Sequence, residues 1–347
     1  MITAARLPHS GISVESINKD RTTPFFSEII CKDNYYYIHN DGCLVSFYEI
    51  SEINISFFKT VIDNMSAGSS IQIYKIKKDA VVTNYLCLKL PIESKALKLK
   101  YSSTISYLFK GTDSLVDELN ADTIIMSNVA SLLTGKYAKN IRLECNILYS
   151  YLMDCSSKNS DYPSPNVNIK SNMSVILTGE NRCSCLYSLN DYRNLNLSTK
   201  GLLNSYDSYL QYLSINKPSE KQILSIENTF SENTNLISHL SPEEPDDARV
   251  HTMGLESAQE YLEEIKLGLF FVSSAFIFNA SSISELDNVS VKFSNSLSRV
   301  SIIPYLHTNS AALHYLSCFP GNANFGYHYQ IAYCNFTRQL IHRFFEL

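Results

Sequence analysis

Short β-prone runs alternate with turn residues from about residue 34 onward. Asn34-Tyr35-Tyr36-Tyr37-Ile38-His39 and residues 43–50 are separated by Asn40-Asp41-Gly42, and an Asp-Gly step supplies the positive φ that a tight hairpin needs. Phe58, Val61, Ile62 and Met65 recur at helical spacing, and strand-like runs follow at residues 70–76 and 81–90. The first part therefore reads strand, strand, helix, strand, strand. A weakly helical stretch at 105–119 and an apolar segment at 141–153 close it.

The second part begins with a strand candidate at residues 173–177. Leu202, Leu203, Tyr206, Tyr209, Leu210 and Leu213 then fit one face of a helix, and a second helix is expected at 219–236. Leu255, Ala258, Leu262 and Ile265 make an apolar stripe opposite Glu256, Glu260 and Glu263. Residues 269–278 are apolar at almost every position, as in a central strand covered on both sides. Ser282-Ile283-Ser284-Glu285 is a capping box, and Ile283, Leu286, Val289 and Phe293 carry the helix it opens. A strand at 299–303 ended by Pro304, and a helix at 309–319 ended by Pro320-Gly321, complete the order.

The boundary between the parts is compositional. Residues 156–168 are polar and include Pro163 and Pro165, as linkers do. The expected organisation is a disordered tail at 1–25, a β-rich lobe at 26–155, a linker at 156–171 and a second lobe at 172–347. The fold class is α+β: an N-terminal, mostly antiparallel sheet with a few helices, then a C-terminal two-layer α/β sandwich.

Composition narrows the function classes. The chain has 347 residues, 45% hydrophobic and 18% charged, with 29 Lys+Arg against 34 Asp+Glu. That is enough chain for about two domains at roughly 100 to 200 residues each, and it gives no overall basic footprint for nucleic acid. The longest strongly apolar run, 267–278, contains Ser273 and Ser274 and falls short of the roughly twenty residues that span a bilayer. No signal-peptide core follows the N-terminus, so a cytoplasmic location is expected. Nine cysteines, with no CxxC pair and no His at zinc spacing, read as buried free thiols. Cys183 and Cys185 share a strand face but lack two further ligands for a soft metal.

Motifs for nucleotide or hydrolase chemistry are missing. Gly135-Lys136 is followed by Tyr137 and has Ala130 where a phosphate-cradling loop needs its first Gly. No Gly-x-Gly-x-x-Gly, His-Glu-x-x-His or Gly-x-Ser-x-Gly occurs. His314 and Cys318 are four apart on the expected helix and would meet on one face as a thiolate pair; a core cysteine beside a surface histidine is the simpler reading. Asp246, Asp247, Glu263 and Glu264 lie on a solvated face. Between Lys59 and Lys100, eight lysines face Asp63, Asp79 and Glu93. A solvated strand face accounts for them, although Tyr74, Tyr85 and Tyr101 nearby leave contact with nucleic acid or anionic lipid open.

One segment has a sharper signature. Ala311-Ala312-Leu313-His314-Tyr315-Leu316-Ser317-Cys318-Phe319-Pro320-Gly321-Asn322 ends a helix at Pro and turns at Gly and Asn. With the acidic helix, apolar strand, capped helix and short strand before it, the stretch 258–322 resembles the region just before the ATPase core of the CagE/TrbE/VirB family. These are the large ATPases of conjugation and type IV secretion, including the TraG-type ATPases of conjugative transposons. In that family the helix ends in an aromatic residue or Leu and then Pro-Gly-Asn, as in Phe319-Pro320-Gly321-Asn322 here. The hairpin around Asp41-Gly42 is similar to the family's first strand pair.

Family members continue into a RecA-like domain with Walker motifs, which this sequence lacks. The resemblance implies an amino-terminal fragment or a split or decayed member; both stay open. It implies a non-catalytic platform that packs against the motor domain, on the same or a separate chain, and docks it onto inner-membrane proteins of a secretion channel. It also implies an oligomer when assembled, a position at the cytoplasmic face of the inner membrane, no cofactor in this chain and ATP only in the motor. Two other readings are a nucleic-acid-binding module built on the Lys/Tyr strands of 71–101 and a Cys/His enzyme using Cys318 and His314.

Overall fold

The computed structural model describes residues 15–16, 26–31, 34–39, 43–51, 61, 65–78, 80–91, 126–131, 133, 138–141, 151–152, 170–172, 175–178, 182–189, 195, 200–218, 224, 228, 269–308, 311–323, 330–333 and 341–347. Their strands are β1 (Glu15–Ser16), β2 (Phe26–Cys31), β3 (Asn34–His39), β4 (Cys43–Ile50), β5 (Ser70–Lys78), β6 (Val81–Pro91), β7 (Ala138–Asn140), β8 (Lys170–Asn172), β9 (Val175–Thr178), β10 (Arg182–Leu189), β11 (Tyr209–Asn216), β12 (Leu269–Ala280), β13 (Pro304–Leu306) and β14 (Gln330–Tyr333). Two helices are α1 (Ile283–Ser298) and α2 (Ala311–Ser317).

All the strands join one antiparallel sheet. Its order is β1-β8-β9-β10-β12-β11-β5-β6-β4-β3-β2, with β13, β14 and β7 paired to β10, β12 and β4. The expected α+β class with a mostly antiparallel sheet is what forms. The two halves of the chain meet at β5 and β11, which pair from Tyr209↔Lys77 to Asn216↔Ser70. Glu15–Ser16, inside the expected tail, pairs with β8, which begins at the end of the expected linker.

Chain length forces this sheet to coil. Eleven strands at about 4.8 Å spacing would set the edges of a flat sheet about 48 Å apart. The roughly ten residues from Ser16 to Phe26 reach at most about 36 Å, so the two edge strands β1 and β2 are brought towards each other, in keeping with the natural twist of sheets.

Both faces of the sheet are covered. Alternation along β12 sends Phe270, Val272, Phe276 and Phe278 to one face and Ala275 and Ile277 to the other, and β11 divides the same way into Tyr209, Leu213 and Ile215 against Leu210 and Tyr212. On the first face α1 adds Leu286, Phe293 and Leu297, and the C-terminal residues add Ile341, Phe344 and Leu347. The ring of Phe293 lies 4.8 Å from that of Phe278, 5.0 Å from Tyr187 and 5.2 Å from Phe276, centroid to centroid; such pairs add about 1 kcal/mol each beyond area burial. On the second face α2 adds Ala311, Tyr315 and Leu316, followed by Cys318 and Phe319.

The expected hairpin forms: Tyr36↔Ser46 through His39↔Cys43 join β3 to β4. The runs at 70–76 and 81–90 are β5 and β6, and the central strand is β12, with Phe270 to Phe278 buried throughout.

Two expectations are corrected. Residues 202–213 are not a helix: Leu202–Ser205 is a 3-10 turn and Tyr209–Asn216 is β11. This strand is buried on both faces, and its Tyr209, Leu210 and Leu213 fall with Tyr206 at the i, i+3, i+4, i+7 spacing of a helix. The strand expected at 299–303 is the turn after α1, and Pro304 opens β13 instead of ending a strand, a place where its missing N–H costs nothing. The helices expected at 58–65, 105–119, 219–236 and 255–265 lie wholly or mostly outside the described residues; Val61, Leu224 and Asn228 in them are helical.

Helix α1 is bounded by local chemistry. The Ser282 hydroxyl accepts from the Glu285 N–H at 3.2 Å, and Glu285 Oε2 accepts from the Ser281 N–H and hydroxyl. This is the expected box, with its return bond shifted one residue back. At the other end Ser301 sits at φ 61 while the Ile302 N–H reaches back to Leu297 O, a closing geometry that Gly fills without strain. Ser301→Gly is expected to stabilise the protein by about 1 kcal/mol and Ser282→Ala to destabilise it by about 1 kcal/mol. Urea unfolding of the two variants beside the parent checks both signs.

Candidate functional site

The turn singled out in the sequence is held from beneath by two polar side chains of the sheet. After α2 the chain folds back with Gly321 at φ 80 and an Asn322 N–H to Phe319 O bond of 3.0 Å, the positive φ that requires glycine there. Phe319, Pro320, Gly321 and Asn322 are all buried. Gln72 of β5 accepts from the Gly321 N–H at 2.6 Å and donates to Phe319 O at 3.1 Å and Ser317 O at 3.3 Å. Its amide also donates to the Tyr212 hydroxyl, which passes a hydrogen bond on to Ser317 O at 2.8 Å. Lys89 of β6 donates to Gly321 O at 2.9 Å.

Lys89 is only 1% exposed. The expectation that these lysines line a solvated face therefore fails here, because its strand is covered on both sides. Lys75 is half-buried on the opposite face; burial pulls its ammonium below its ordinary value, against the opposing effect of Glu346.

A second socket lies on that opposite face. Residues 341–346 are helical, and helix ends leave carbonyls without intrahelical partners. Here Phe344 O accepts from Gln211 Nε2 at 2.7 Å, Phe345 O from Lys75 Nζ at 2.7 Å, Glu346 O from the Gly201 N–H at 2.8 Å and Leu347 O from the Leu203 N–H at 2.7 Å. Lys200 adds an ion pair to Glu346 at 2.9 Å. Neighbouring strands β5, β6 and β11 thus hold main-chain carbonyls on both faces of the sheet.

The histidines form a separate buried cluster. The rings of His307 and His314 stack with centroids 4.1 Å apart and 13° between planes. Ser188 Oγ lies 2.6 Å from His307 Nε2, 3.2 Å from His314 Nε2 and 2.6 Å from the Ser274 carbonyl oxygen. The carbonyl can only accept, so the serine proton goes to it and both rings donate through Nε2–H to Oγ. A nucleophilic serine needs the reverse, an imidazole lone pair aimed at its proton. With stacked rings and buried surroundings, this cluster ties β10, β12 and α2 together instead of activating Ser188.

The Cys318–His314 pair also takes another form. The thiol donates to the main-chain oxygen of His314 at 3.3 Å, not to its ring, and burial raises Cys318 well above its ordinary value. A buried thiol held neutral is a poor nucleophile. Cys183 and Cys185 do share a face, as expected, but the Cys183 thiol donates to Ala280 O. Among the described residues no group of three or more His, Cys, Asp or Glu could hold a metal ion. Tyr74 and Tyr85, expected next to exposed lysines, are buried and offer no ring to a nucleobase. Tyr101 and the acidic residues 246, 247, 263 and 264 lie outside the described residues.

No protein-family model matches the chain, and no curated protein does.

Ser188, His307, Gln72 and Lys89 were not singled out in the sequence. The last two left a trace, since Ile71-Gln72-Ile73 and Leu88-Lys89-Leu90 place a polar residue inside a doubly apolar strand. Ser188 and His307 are 119 positions apart and left none.

Gln72→Leu leaves the Gly321 N–H buried without its partner and takes one of their bonds from the Ser317 and Phe319 carbonyls, which keep the Tyr212 hydroxyl and the Asn322 N–H; it is expected to cost about 1–3 kcal/mol. Lys89→Met removes the bond to Gly321 O but also a buried charge, so it is expected to cost less. Denaturant titrations of the two variants give the order.

Burial pushes Cys87, Tyr48, Tyr187 and Tyr209 each up to about 12. The fold favours their neutral forms, so their contribution is complete below the ordinary values of 9.0 for Cys and 10.0 for Tyr and is lost as pH rises towards about 12. Lys75, lowered, works in the opposite direction. The phenolate absorbance contributed by buried Tyr48, Tyr187 and Tyr209 is expected to appear only together with loss of circular dichroism; full titration of every tyrosine with the fold intact would contradict this.

Proposed function

We propose that the chain is a non-catalytic docking and assembly platform of a conjugative transfer or type IV secretion ATPase, acting at the cytoplasmic face of the inner membrane. The observation that carries the reading is the clamping of Phe319-Pro320-Gly321-Asn322, the residues on which the family resemblance is sharpest. Gln72 grips this turn across 249 positions of sequence, so α2 and the chain leaving it have a set direction relative to the sheet. A platform that positions a motor needs that kind of fixed exit, and the socket around residues 344–347 supports the reading from the other face.

The partner in this reading is a RecA-like ATPase domain, on the same or a separate chain, and ATP is bound there. Other partners are inner-membrane proteins of the channel, with several copies in the assembled machine. No helix among the described residues is long and apolar enough to cross a membrane, so the reading places attachment on contacts with other components. Burial of Ser188, Cys318 and His314 favours it over an enzyme, and burial of Tyr74 and Tyr85 favours it over a nucleic-acid module.

Mixed with the RecA-like domain of a secretion ATPase from the same genome, the purified chain is expected to co-elute in size-exclusion chromatography and to hydrolyse no ATP alone. Gly321→Val, at a position where φ is positive, is expected to weaken the complex about tenfold or more, or 1.4 kcal/mol, in samples whose circular dichroism remains native. ATP hydrolysis by the chain alone, or a RecA-like domain that never binds it, defeats the reading.

A further inference from the structure

We propose that the tip of the β5–β6 hairpin is a lipid-contact element that seats on an anionic bilayer surface. Register places Lys78 opposite Val81 and Lys77 opposite Val82. Opposed residues of an antiparallel pair project to the same side, so each side of the tip presents one lysine and one valine. Val81 is 61% and Val82 47% exposed, and they are the only sequence-adjacent pair among the exposed large hydrophobic residues described. Ala80 just before them is held at φ 67, a strained conformation for a residue with a Cβ. The tip therefore projects two branched aliphatic side chains into solvent from a backbone that is itself under strain.

Charge and side-chain type decide the occupant. Residues 75–91 contain four lysines and one acidic residue, Asp79, within a chain of net charge -5. Lys78 is exposed, and Lys77 donates to Asn204 O at 2.8 Å in an exposed hydrogen bond that anionic groups can replace. Protein-protein contacts rely on Trp, Tyr and Arg anchors, and the tip has none. Aliphatic side chains flanked by lysines suit a bilayer, where the stems follow the apolar groups and the ammonium heads meet lipid phosphates. Nucleic acid would call for stacking rings, and Tyr74 and Tyr85 are buried. The inference needs only this chain and stands apart from the docking reading.

The test is flotation of the full chain with vesicles of phosphatidylcholine, with and without roughly one third phosphatidylglycerol. Expected are binding to the anionic vesicles that falls as salt rises, at least a tenfold loss in the Val81→Asp/Val82→Asp variant, and a severalfold loss in Lys77→Gln/Lys78→Gln. Circular dichroism identical to the parent shows that the exposed substitutions leave the fold intact. No partition at millimolar anionic lipid, binding unchanged in both variants, or equal binding to neutral vesicles would overturn the proposal. So would binding of duplex DNA, and not vesicles, with the same sensitivity to the lysine substitutions. Because the flotation assay uses no RecA-like domain, failure here leaves the docking reading standing, and failure of docking leaves this one.

Discussion

Covering both faces of a single antiparallel sheet is the constraint on which the rest of the structure depends. Away from the tip of the β5–β6 hairpin, strands β5, β6, β11 and β12 lie between two apolar clusters, so little water reaches either side of them. A polar side chain in such a strand loses its hydration and must find a partner inside the protein. Gln72, Lys75, Lys89 and Gln211 all find one in main-chain carbonyls. Removing water from the strands thus obliges these side chains to fasten distant segments to the sheet.

That obligation links the halves of the chain. Lys75, Gln72 and Lys89 come from the first part, while the carbonyls they hold come from residues 317–321 and 345. The eight-residue pairing of β5 with β11 sets the register, and the side chains add specificity that apolar packing lacks: a one-residue slip would turn Gln72 and Lys89 to the wrong face. The histidine cluster performs a similar service at the other end of β10, where Ser188 joins two rings and a carbonyl. These are arrangements for holding position, consistent in character with a platform and ill suited to proton transfer or nucleophilic attack.

Much of the local structure was legible along the chain. The Asp41-Gly42 hairpin, strands β5, β6 and β12, the Ser282–Glu285 cap and the stop at Pro320-Gly321 are written in neighbouring residues, because turn chemistry, capping and alternation act over a few positions. The sequence misleads where the spacing fits two elements. Tyr206, Tyr209, Leu210 and Leu213 fall at helical spacing although Tyr209–Asn216 is a strand covered on both faces, and Val300, Ile302 and Ile303 are β-branched residues in and just after the turn that closes α1.

What the sequence by itself determined was therefore the α+β class, most strands of the first part, the start of α1, the presence of α2 and the Phe319-Pro320-Gly321-Asn322 turn. Only the tertiary structure decided that the two parts share one sheet, that Lys89 is buried and not solvated, that Gln72 and Lys89 lie beneath the turn, and that Cys318 turns its thiol to a carbonyl. The physical reason is range. Capping and turn preferences are properties of adjacent residues, whereas burial of a polar group and its choice of partner depend on which strand arrives alongside, and here that strand comes from a part of the chain more than a hundred residues away.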